Sequence, residues 1–274
     1  MKTTTLEQNE VKTTVRERYG KIATSNSGCG CAPTCCSPTE TASPETRDAK
    51  NISQGLGYSA ADTSAVPEGA NLGLGCGNPQ AIAALKPGET VLDLGSGAGF
   101  DAFLAAHAVG PKGFIIGVDM TPEMVSKARQ NQATGGYANV EFRIGEIESL
   151  PVANDSVDAI ISNCVINLSP DKPRVFSEAF RVLKTGGRLA ISDVVALAEI
   201  PAHLRQDWEL YTACVAGAST IVQIKAWLAQ AGFTQIRIEP KEGSRKIIGE
   251  WFPGRRIEEF VASATIEAVK PMRN

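Results

Sequence analysis

Short apolar runs alternate with longer amphipathic stretches through the middle of the chain. The runs are bounded by Gly, Pro, Asn or Asp and predict strands, whereas the stretches between them repeat their apolar positions with helical spacing. This alternation is typical of an α/β fold with a parallel, doubly wound sheet. Strands are predicted at residues 91–94, 114–118, 140–144, 157–161 and 188–192, and helices at 98–109, 122–133 and 173–184.

The amino-terminal part departs from this pattern. Residues 4–22 predict an amphipathic helix that starts with a capping box and carries its apolar residues on one face. These residues are Val11, Val15, Tyr19 and Ile22. We expect the helix to dock on the sheet domain, with a lid over the ligand cleft as the alternative. Residues 25–44 are rich in Ser, Gly, Thr, Pro and Cys, so they cannot build a core and predict a flexible arm.

The carboxyl-terminal part predicts a helical insertion followed by closing strands. Residues 201–216 predict one helix that covers the substrate site, and a second helix is predicted at 221–231, ended by Gly232. The remaining elements are strands at 233–239 and 260–268, which form an antiparallel pair, and a loop at 243–256. We therefore expect three parts: the helix and arm (1–68), a cofactor-binding core (69–193), and the insertion with the closing strands (194–274).

Charge and hydropathy narrow the classes of partner. The chain has 274 residues and a net charge of −3, so it offers no basic surface for a phosphate backbone and nucleic acid is an unsuitable partner. It shows no signal peptide and no apolar run long enough to span a bilayer, which favours a cytoplasmic protein without a membrane partner. We expect a monomer, because no heptad pattern is present.

The first predicted strand runs into a glycine-rich turn, TVLDLGSGAGFD. A dinucleotide fingerprint requires glycine at the sixth position of this turn, where the chain has Phe100. Asp93 lies two residues ahead of the turn and can balance a cationic ligand. The pattern resembles the first motif of class I S-adenosylmethionine-dependent methyltransferases, and a tight turn without a ligand is the alternative. The residues of this motif that would contact the cofactor are Asp93, Gly95, Ser96, Gly97 and Gly99.

Further cofactor contacts are expected where the other strands end, because ligands of doubly wound folds bind at the carboxyl edge of the sheet. Asp119 ends the second strand and is placed to bind ribose hydroxyls, with Met120 next to it. Adenine would be reached from the end of the third strand. The residues assigned there and at the end of the fourth strand are Gly145, Glu146, Ile147 and Asn163.

Seven cysteines are many for a cytoplasmic protein, and an odd number argues against a purely structural disulfide framework. Cys76 precedes a predicted helix at 79–86, where the helix dipole favours a thiolate, although a buried cysteine in a turn is equally compatible. Cys164 ends the fourth strand, and Cys214 lies at the edge of the predicted insertion helix. The arm could bind soft metals, act in redox chemistry or carry incidental cysteines; its four are Cys29, Cys31, Cys35 and Cys36.

Nearly the whole chain resembles the arsenite S-adenosylmethionine methyltransferase family. The motifs that carry the resemblance are ANLGLGCGNP, VLDLGSGAGFD, GVDMTPEM, GEIESLP, ISNCVINLSPDK, LKTGGRLAISDVV and YTACVAGA. It implies a Rossmann-like methyltransferase fold in which Cys76, Cys164 and Cys214 bind trivalent arsenic. It also implies that a cysteine of the arm, matched best by Cys35 and Cys36, cycles through a disulfide with Cys76. A cysteine pair near the end of some members is absent here.

The implied chemistry agrees with the residue types. Trivalent arsenic is soft and binds three thiolates, which leaves its lone pair free to attack the sulfonium methyl without a general base. The two histidines, His107 and His203, form no recognisable catalytic pair. Transfer to arsenite or methylarsenite would detoxify arsenic and leave S-adenosylhomocysteine. A thiol pair would then reduce the arsenic, and an external thiol reductant, glutathione or thioredoxin, would reset the enzyme.

Two other functions are compatible with parts of the sequence. The same fold and cofactor could serve a small organic acceptor such as a quinone precursor, with incidental cysteines. Alternatively, the chain could be a non-catalytic, thiol-rich protein that binds metalloids. The intact cofactor motif, with Asp93 and Asp119, argues against the second alternative, and three cysteines directed to one cleft argue against the first.

Overall fold

The structure is a computed structural model that describes residues 5–25 and 48–272. The four cysteines of the arm and the start of the predicted capping box lie outside the described residues. The predictions made for Cys29, Cys31, Cys35 and Cys36 therefore stay predictions.

A single eight-stranded sheet forms the centre of the described chain. Seven strands follow the order β3-β2-β1-β4-β5-β8-β7, and β6 pairs with β5. Strands β1 to β6 pair in parallel, whereas β8 is antiparallel to both β5 and β7. The predictions of a doubly wound α/β fold and of an antiparallel closing pair are confirmed. The strands are β1 Thr90–Leu94, β2 Phe114–Asp119, β3 Val140–Ile144, β4 Val157–Asn163, β5 Leu183–Ala196, β6 Ser219–Thr220, β7 Thr234–Pro240 and β8 Val261–Val269.

Helices cover both faces of the sheet and its carboxyl edge. On one face α7 and α10 bury residues against Leu92 and Leu94, and on the other α5 and α6 bury residues against Val91. The helices are α1 Thr5–Thr24, α2 Ala49–Gly55, α3 Ala60–Ser64, α4 Gln80–Ala83, α5 Phe100–Val109, α6 Pro122–Gly135, α7 Lys172–Val182, α8 Ala202–Arg205, α9 Trp208–Thr212, α10 Ile221–Ala231 and α11 Ser244–Trp251. Short 3-10 helices form at Ile166–Leu168 and Ile257–Glu259.

The predicted helix at residues 201–216 is two short helices, so that prediction is wrong. Asp207 interrupts it, because its side chain accepts hydrogen bonds from the main-chain nitrogens of Glu209 and Leu210 and so starts α9. Helix α9 ends at Thr212, and Cys214 then adopts a positive φ of 64°. The break allows the Cys214 segment to turn back toward the sheet.

Three further boundaries differ from the predictions. The predicted loop at 243–256 contains α11, because Ile248 on one side of this helix is buried in the core. The predicted helix at 79–86 has a single turn, since Ala84 takes a left-handed conformation. Strand β5 extends well beyond 188–192, because Arg188 to Ala196 all pair with β8.

Within the part of the chain that the structure describes, no helix is both long enough and apolar enough to cross a membrane. Helix α1, with 20 residues, is long enough but strongly polar.

Candidate active site

The glycine turn after β1 combines tight packing with one open position. Gly95, Gly97 and Gly99 all have positive φ, between 52° and 98°. A Cβ atom at Gly95 would lie 2.4 Å from the side chain of Val165, and one at Gly99 would lie 2.6 Å from Phe103. A Cβ at Gly97 would meet only the sulfur of Met124, at 4.0 Å. Packing therefore requires two of the glycines, and the third leaves space for a ligand close to the backbone.

Two carboxylates of the predicted cofactor site have different surroundings. Asp93 is 2% exposed, and its Oδ2 atom has no hydrogen-bond partner among the described residues. Burial raises the pKa of this carboxyl well above its usual value. In Asp119, by contrast, Oδ2 accepts a hydrogen bond from the Gly97 nitrogen at 3.0 Å and Oδ1 one from the Thr121 nitrogen at 2.8 Å. Asp119 thus holds the turn, whereas Asp93 offers a buried oxygen that a cationic ligand would satisfy.

Residues after β3 contact α1 in the structure. The Glu146 carboxylate binds Lys12 of α1 at 2.6 Å and lies 3.6 Å from Arg16. Ile147 is buried in the core. Gly145 lies against Pro151, whose ring leaves no room for a side chain there. The predicted adenine contacts are thus at the carboxyl edge, and one of them forms an ion pair with the amino-terminal helix.

Helix α1 lies across the carboxyl edge of the sheet. Val15 is buried in a cluster with Leu168 and Cys214, and Met120 packs against this cluster. The Tyr19 hydroxyl donates a hydrogen bond to the main-chain oxygen of Thr212 at 3.1 Å. The predicted apolar face of the helix therefore contacts the region where the cysteines meet, in agreement with a covering helix.

Three cysteines meet beside the cofactor turn. The sulfurs of Cys76 and Cys164 and a carboxylate oxygen of Asp193 lie within 4.8 Å of one another. The Cys214 thiol donates a hydrogen bond to the main-chain oxygen of Cys164 at 2.6 Å. All three are free thiols. Residues that are far apart in sequence thus form one cysteine cluster at the carboxyl edge of β4 and β5, in which the sulfurs of Cys76 and Cys164 are adjacent and the Cys214 thiol lies against the main chain of Cys164.

Special backbone conformations allow this cluster to form. Cys164 follows β4 with a positive φ of 58°, and its nitrogen donates to the Ser192 oxygen at 2.8 Å. Next to Cys76, a Cβ on Gly75 would lie 2.9 Å from the Asn163 side chain, and one on Gly77 would overlap the Ser192 hydroxyl at 2.0 Å. Glycines on both sides of Cys76 therefore let its loop lie directly against the sheet edge.

Asn163 connects the Cys76 loop to the start of α5. Its Oδ1 accepts a hydrogen bond from the Cys76 nitrogen at 3.1 Å, and its Nδ2 donates to the Gly77 oxygen at 2.8 Å and to the Tyr58 hydroxyl at 3.0 Å. Tyr58 in turn donates to Asp101 at 2.7 Å. Asn163, predicted as a cofactor contact, therefore uses its side-chain amide to position the cysteine loop.

The three thiols are protonated at neutral pH. Burial raises the pKa of Cys76 and raises that of Cys164 well above its usual value. For Cys214, the hydrogen bond with Cys164 lowers the pKa, but burial and the charge of Asp193 outweigh it and the pKa rises. Of the two alternatives for Cys76, the structure agrees with the buried cysteine and not with the thiolate, because the single turn of α4 provides little dipole and desolvation dominates.

Asp101 makes stability depend on pH. Burial raises its pKa from 3.8 to about 6, although hydrogen bonds from Tyr58, Asn163 and Gln80 lower it. The folded state therefore binds the proton more tightly than the unfolded state, and the free energy of unfolding should fall by about 3 kcal/mol as the pH rises from about 3 to about 7. Urea unfolding across this range should show a flatter profile for Asp101→Asn; a fall as steep as that of the parent would contradict this assignment.

Sequence comparison assigns the chain to a family. Residues 85–232 match a sequence model described as a methyltransferase domain. The chain is 54% identical to the arsenite methyltransferase of Halobacterium salinarum over 97% of its own length and 68% of that relative. The chain belongs to the arsenite methyltransferase family. Another family member, from Aquipseudomonas alcaligenes, is 46% identical over 60% of this chain and 49% of its own length, so the chain spans about half of that relative.

A solved structure of the same family shares the fold. It is the arsenic(III) S-adenosylmethionine methyltransferase of Chlamydomonas reinhardtii, which is 32% identical, with a TM-score of 0.61. The match covers 83% of this chain and 75% of the algal chain. The Rossmann-like methyltransferase fold expected from the glycine turn is thereby confirmed for this member of the arsenite methyltransferase family.

Three residues of the site were not assigned from the sequence. Asp193 lies within the apolar run of β5, and a charged residue in such a run is a signal that could have identified it. Asp101 is the last residue of the motif TVLDLGSGAGFD, but no role was predicted for it from the sequence. Tyr58 lies outside every motif of the arsenite methyltransferase family quoted above, and only the fold brings it to Asp101.

Proposed function

We propose that this chain transfers methyl groups from S-adenosylmethionine to trivalent arsenic bound by Cys76, Cys164 and Cys214. Arsenite and methylarsenite are the substrates, and methylated arsenicals and S-adenosylhomocysteine are the products. The observation that carries the proposal is the convergence of these three free thiols beside the glycine turn, in a member of the arsenite methyltransferase family. Its biological role would be arsenic detoxification.

Protonated thiols suit the capture of arsenite. Each thiol replaces one hydroxyl of As(OH)₃, and its proton leaves with that hydroxyl as water. Three exchanges give a neutral tris-thiolate complex, which can be buried without a charged partner. The raised pKa values of Cys76, Cys164 and Cys214 are therefore compatible with binding, because no free thiolate has to form first.

The cofactor would be held at the glycine turn. The unpartnered Oδ2 of Asp93 and the unpartnered hydroxyl of Ser96 are buried there and would accept or donate hydrogen bonds to its polar groups. Gly97 leaves the space over the backbone open, and Asp119 remains available for ribose hydroxyls. S-adenosylmethionine supplies the electrophilic methyl group on its sulfonium. The residues of this chain orient it toward the arsenic lone pair and exclude water through α1.

Methyl transfer formally oxidises arsenic to the pentavalent state. We infer that Cys76 and either Cys35 or Cys36 return two electrons to the arsenic and become a disulfide, which glutathione or thioredoxin then reduces. Cys76→Ser and a Cys35→Ser/Cys36→Ser double variant should therefore lose multiple turnover. The measurement is methylated arsenic per enzyme against time, with excess thioredoxin and its reductase.

The double variant distinguishes this role from ligation. It keeps Cys76, Cys164 and Cys214, so arsenite affinity should remain at the parental value while turnover falls. A double variant that methylates at the parental rate would exclude the arm from the redox step. We further propose that the protein is a cytoplasmic monomer and that thioredoxin is a protein partner.

The function is tested by incubating the full chain with arsenite, a thiol reductant and S-adenosylmethionine labelled in the methyl group. Chromatography should resolve labelled methylarsenicals that are absent without enzyme. Cofactor binding without any arsenic product would instead favour a small organic acceptor, and the absence of cofactor binding by calorimetry would favour a non-catalytic metalloid-binding protein.

A further inference from the structure

The carboxylate of Asp193 lies beside two of the three thiols but takes no part in the proposed arsenic site. One of its oxygens and the sulfurs of Cys76 and Cys164 all lie within 4.8 Å of one another. Asp193 is 2% exposed, and arsenic, being soft, prefers sulfur to oxygen. A buried, charged oxygen donor is therefore held next to two sulfur donors and is not needed for binding arsenic.

The surrounding protein fixes the Asp193 carboxylate firmly. Oδ1 accepts hydrogen bonds from the Asn167 amide at 2.9 Å and from the Val194 nitrogen at 2.7 Å, and Oδ2 accepts one from the Ile166 nitrogen at 2.9 Å. Asn167 also donates to the Cys214 oxygen at 3.2 Å. Oδ1 already accepts two hydrogen bonds, but Oδ2 accepts only one and keeps a second acceptor direction, so this network orients the group without excluding a further ligand. Oriented carboxylates of this kind are typical of metal sites.

We propose that Cys76, Cys164 and Asp193 bind a thiophilic divalent cation such as Zn²⁺ in competition with arsenite. Two thiolates, a carboxylate and one water molecule form the four-coordinate set that Zn²⁺ adopts in proteins. Cys164 is only half-buried, so the water position can face solvent. On binding, each of the two thiols releases its proton to solvent.

The zinc and arsenic complexes also differ in net charge. The zinc complex carries one net negative charge, from two thiolates and a carboxylate on a dication. The Lys172 ammonium is close enough to interact with both Asp193 and Cys214, so it can offset that charge. The arsenic complex with three thiolates is neutral and gains nothing from Asp193. Zinc binding thus depends on Asp193 and not on Cys214, whereas arsenite binding depends on Cys214 and not on Asp193.

This double dependence provides the test. Zn²⁺ alone is titrated against a competing chromophoric chelator, with neither arsenite nor the cofactor present. The full chain is used with Cys29, Cys31, Cys35 and Cys36 all replaced by Ser, so that the arm contributes no thiols. Arsenite affinity is measured separately on the same proteins by equilibrium dialysis with elemental analysis.

We expect one zinc ion per chain. Asp193→Asn should lower zinc affinity at least about 10-fold, because loss of a metal ligand weakens binding more than loss of a group that only orients a ligand. The same variant should change arsenite affinity less than about threefold. Cys214→Ser should instead lower arsenite affinity at least about 10-fold and change zinc affinity less than about threefold. In the Co²⁺-substituted protein, sulfur-to-metal charge-transfer bands should remain at the parental intensity in Cys214→Ser.

Several results would contradict the proposed zinc site. Unchanged zinc affinity in Asp193→Asn would remove the carboxylate from it, and lost zinc affinity in Cys214→Ser would show the same three-thiol set for both ligands. The Cys214→Ser result decides the question even if Asp193→Asn fails to fold. Absence of arsenite binding by the parent would count against the proposed function and leave the zinc titration intact.

Discussion

Cys164→Ser and Cys214→Ser should each reduce methyl transfer to arsenite by at least about 100-fold, because a serine hydroxyl is a hard, weak ligand for trivalent arsenic. Cys164 lies between the other two thiols: its sulfur is close to that of Cys76, and its main-chain oxygen accepts the hydrogen bond from Cys214. Removing either sulfur leaves arsenic bound by two thiolates and one retained hydroxyl. Labelled methylarsenical production under saturating cofactor measures the loss.

The two variants should differ with methylarsenite. A methyl group already occupies one arsenic position, so two thiols complete its coordination, and at least one of the variants should retain activity with this substrate. A Cys29→Ser/Cys31→Ser double variant is the matched control, since it removes two thiols to which no role is assigned. Calorimetric binding of S-adenosylmethionine at parental affinity would show that each variant is folded. Full activity of Cys164→Ser or Cys214→Ser with arsenite would remove that residue from the arsenic site.

Asp93→Asn should weaken binding of S-adenosylmethionine by about 100-fold and stabilise the unliganded protein. The ligand is cationic, and the loss of its pairing with a buried carboxylate corresponds to about 2.7 kcal/mol. In the unliganded chain the same carboxylate lies buried with an unpartnered oxygen, which is costly. The amide removes the negative charge, which is the larger part of that cost. Calorimetry gives the affinity, and urea unfolding without ligand gives the stability.

Asp158→Asn is the matched control for Asp93. Asp158 lies in β4 and is paired: its Oδ2 accepts a hydrogen bond from the Thr90 nitrogen at 2.8 Å and binds Lys184 at 2.8 Å. Removing this paired carboxylate should lower stability and leave cofactor affinity unchanged. An Asp93→Asn protein that is less stable but binds the cofactor normally would show that Asp93 serves the fold and not the ligand.

Local sequence signals were sufficient to predict the parallel strands of the sheet and the position of Cys164. The apolar runs that end at Asp119 and before Cys164 specify parallel strands, and the carboxyl ends of such strands meet at one edge. The order of the elements therefore predicts that Cys164 lies near the glycine turn, whereas the place of Cys76 at the site was implied by the resemblance to the family. The resemblance to the family added what these residues bind, which periodicity does not contain.

The features that the sequence did not predict depend on competition between local and distant contacts. The periodicity of residues 201–216 suits one helix, but the side chain of Asp207 binds the next turn and starts a new one. Helix α11 forms in a predicted loop because the sheet offers a surface that buries Ile248. Asn163 resembled a cofactor contact by position, and its hydrogen bonds to the Cys76 loop exist only once the chain has folded.

Burial of the thiols, complete for Cys76 and Cys214 and partial for Cys164, has a consequence for chemical damage. Peroxides and alkylating reagents react with the thiolate form, which the raised pKa values suppress in Cys76, Cys164 and Cys214. Arsenite, in contrast, exchanges its hydroxyls for neutral thiols, and each thiol proton leaves with a hydroxyl as water. In the proposed arsenic site, protonated thiols would therefore bind arsenite and yet react slowly with oxidants.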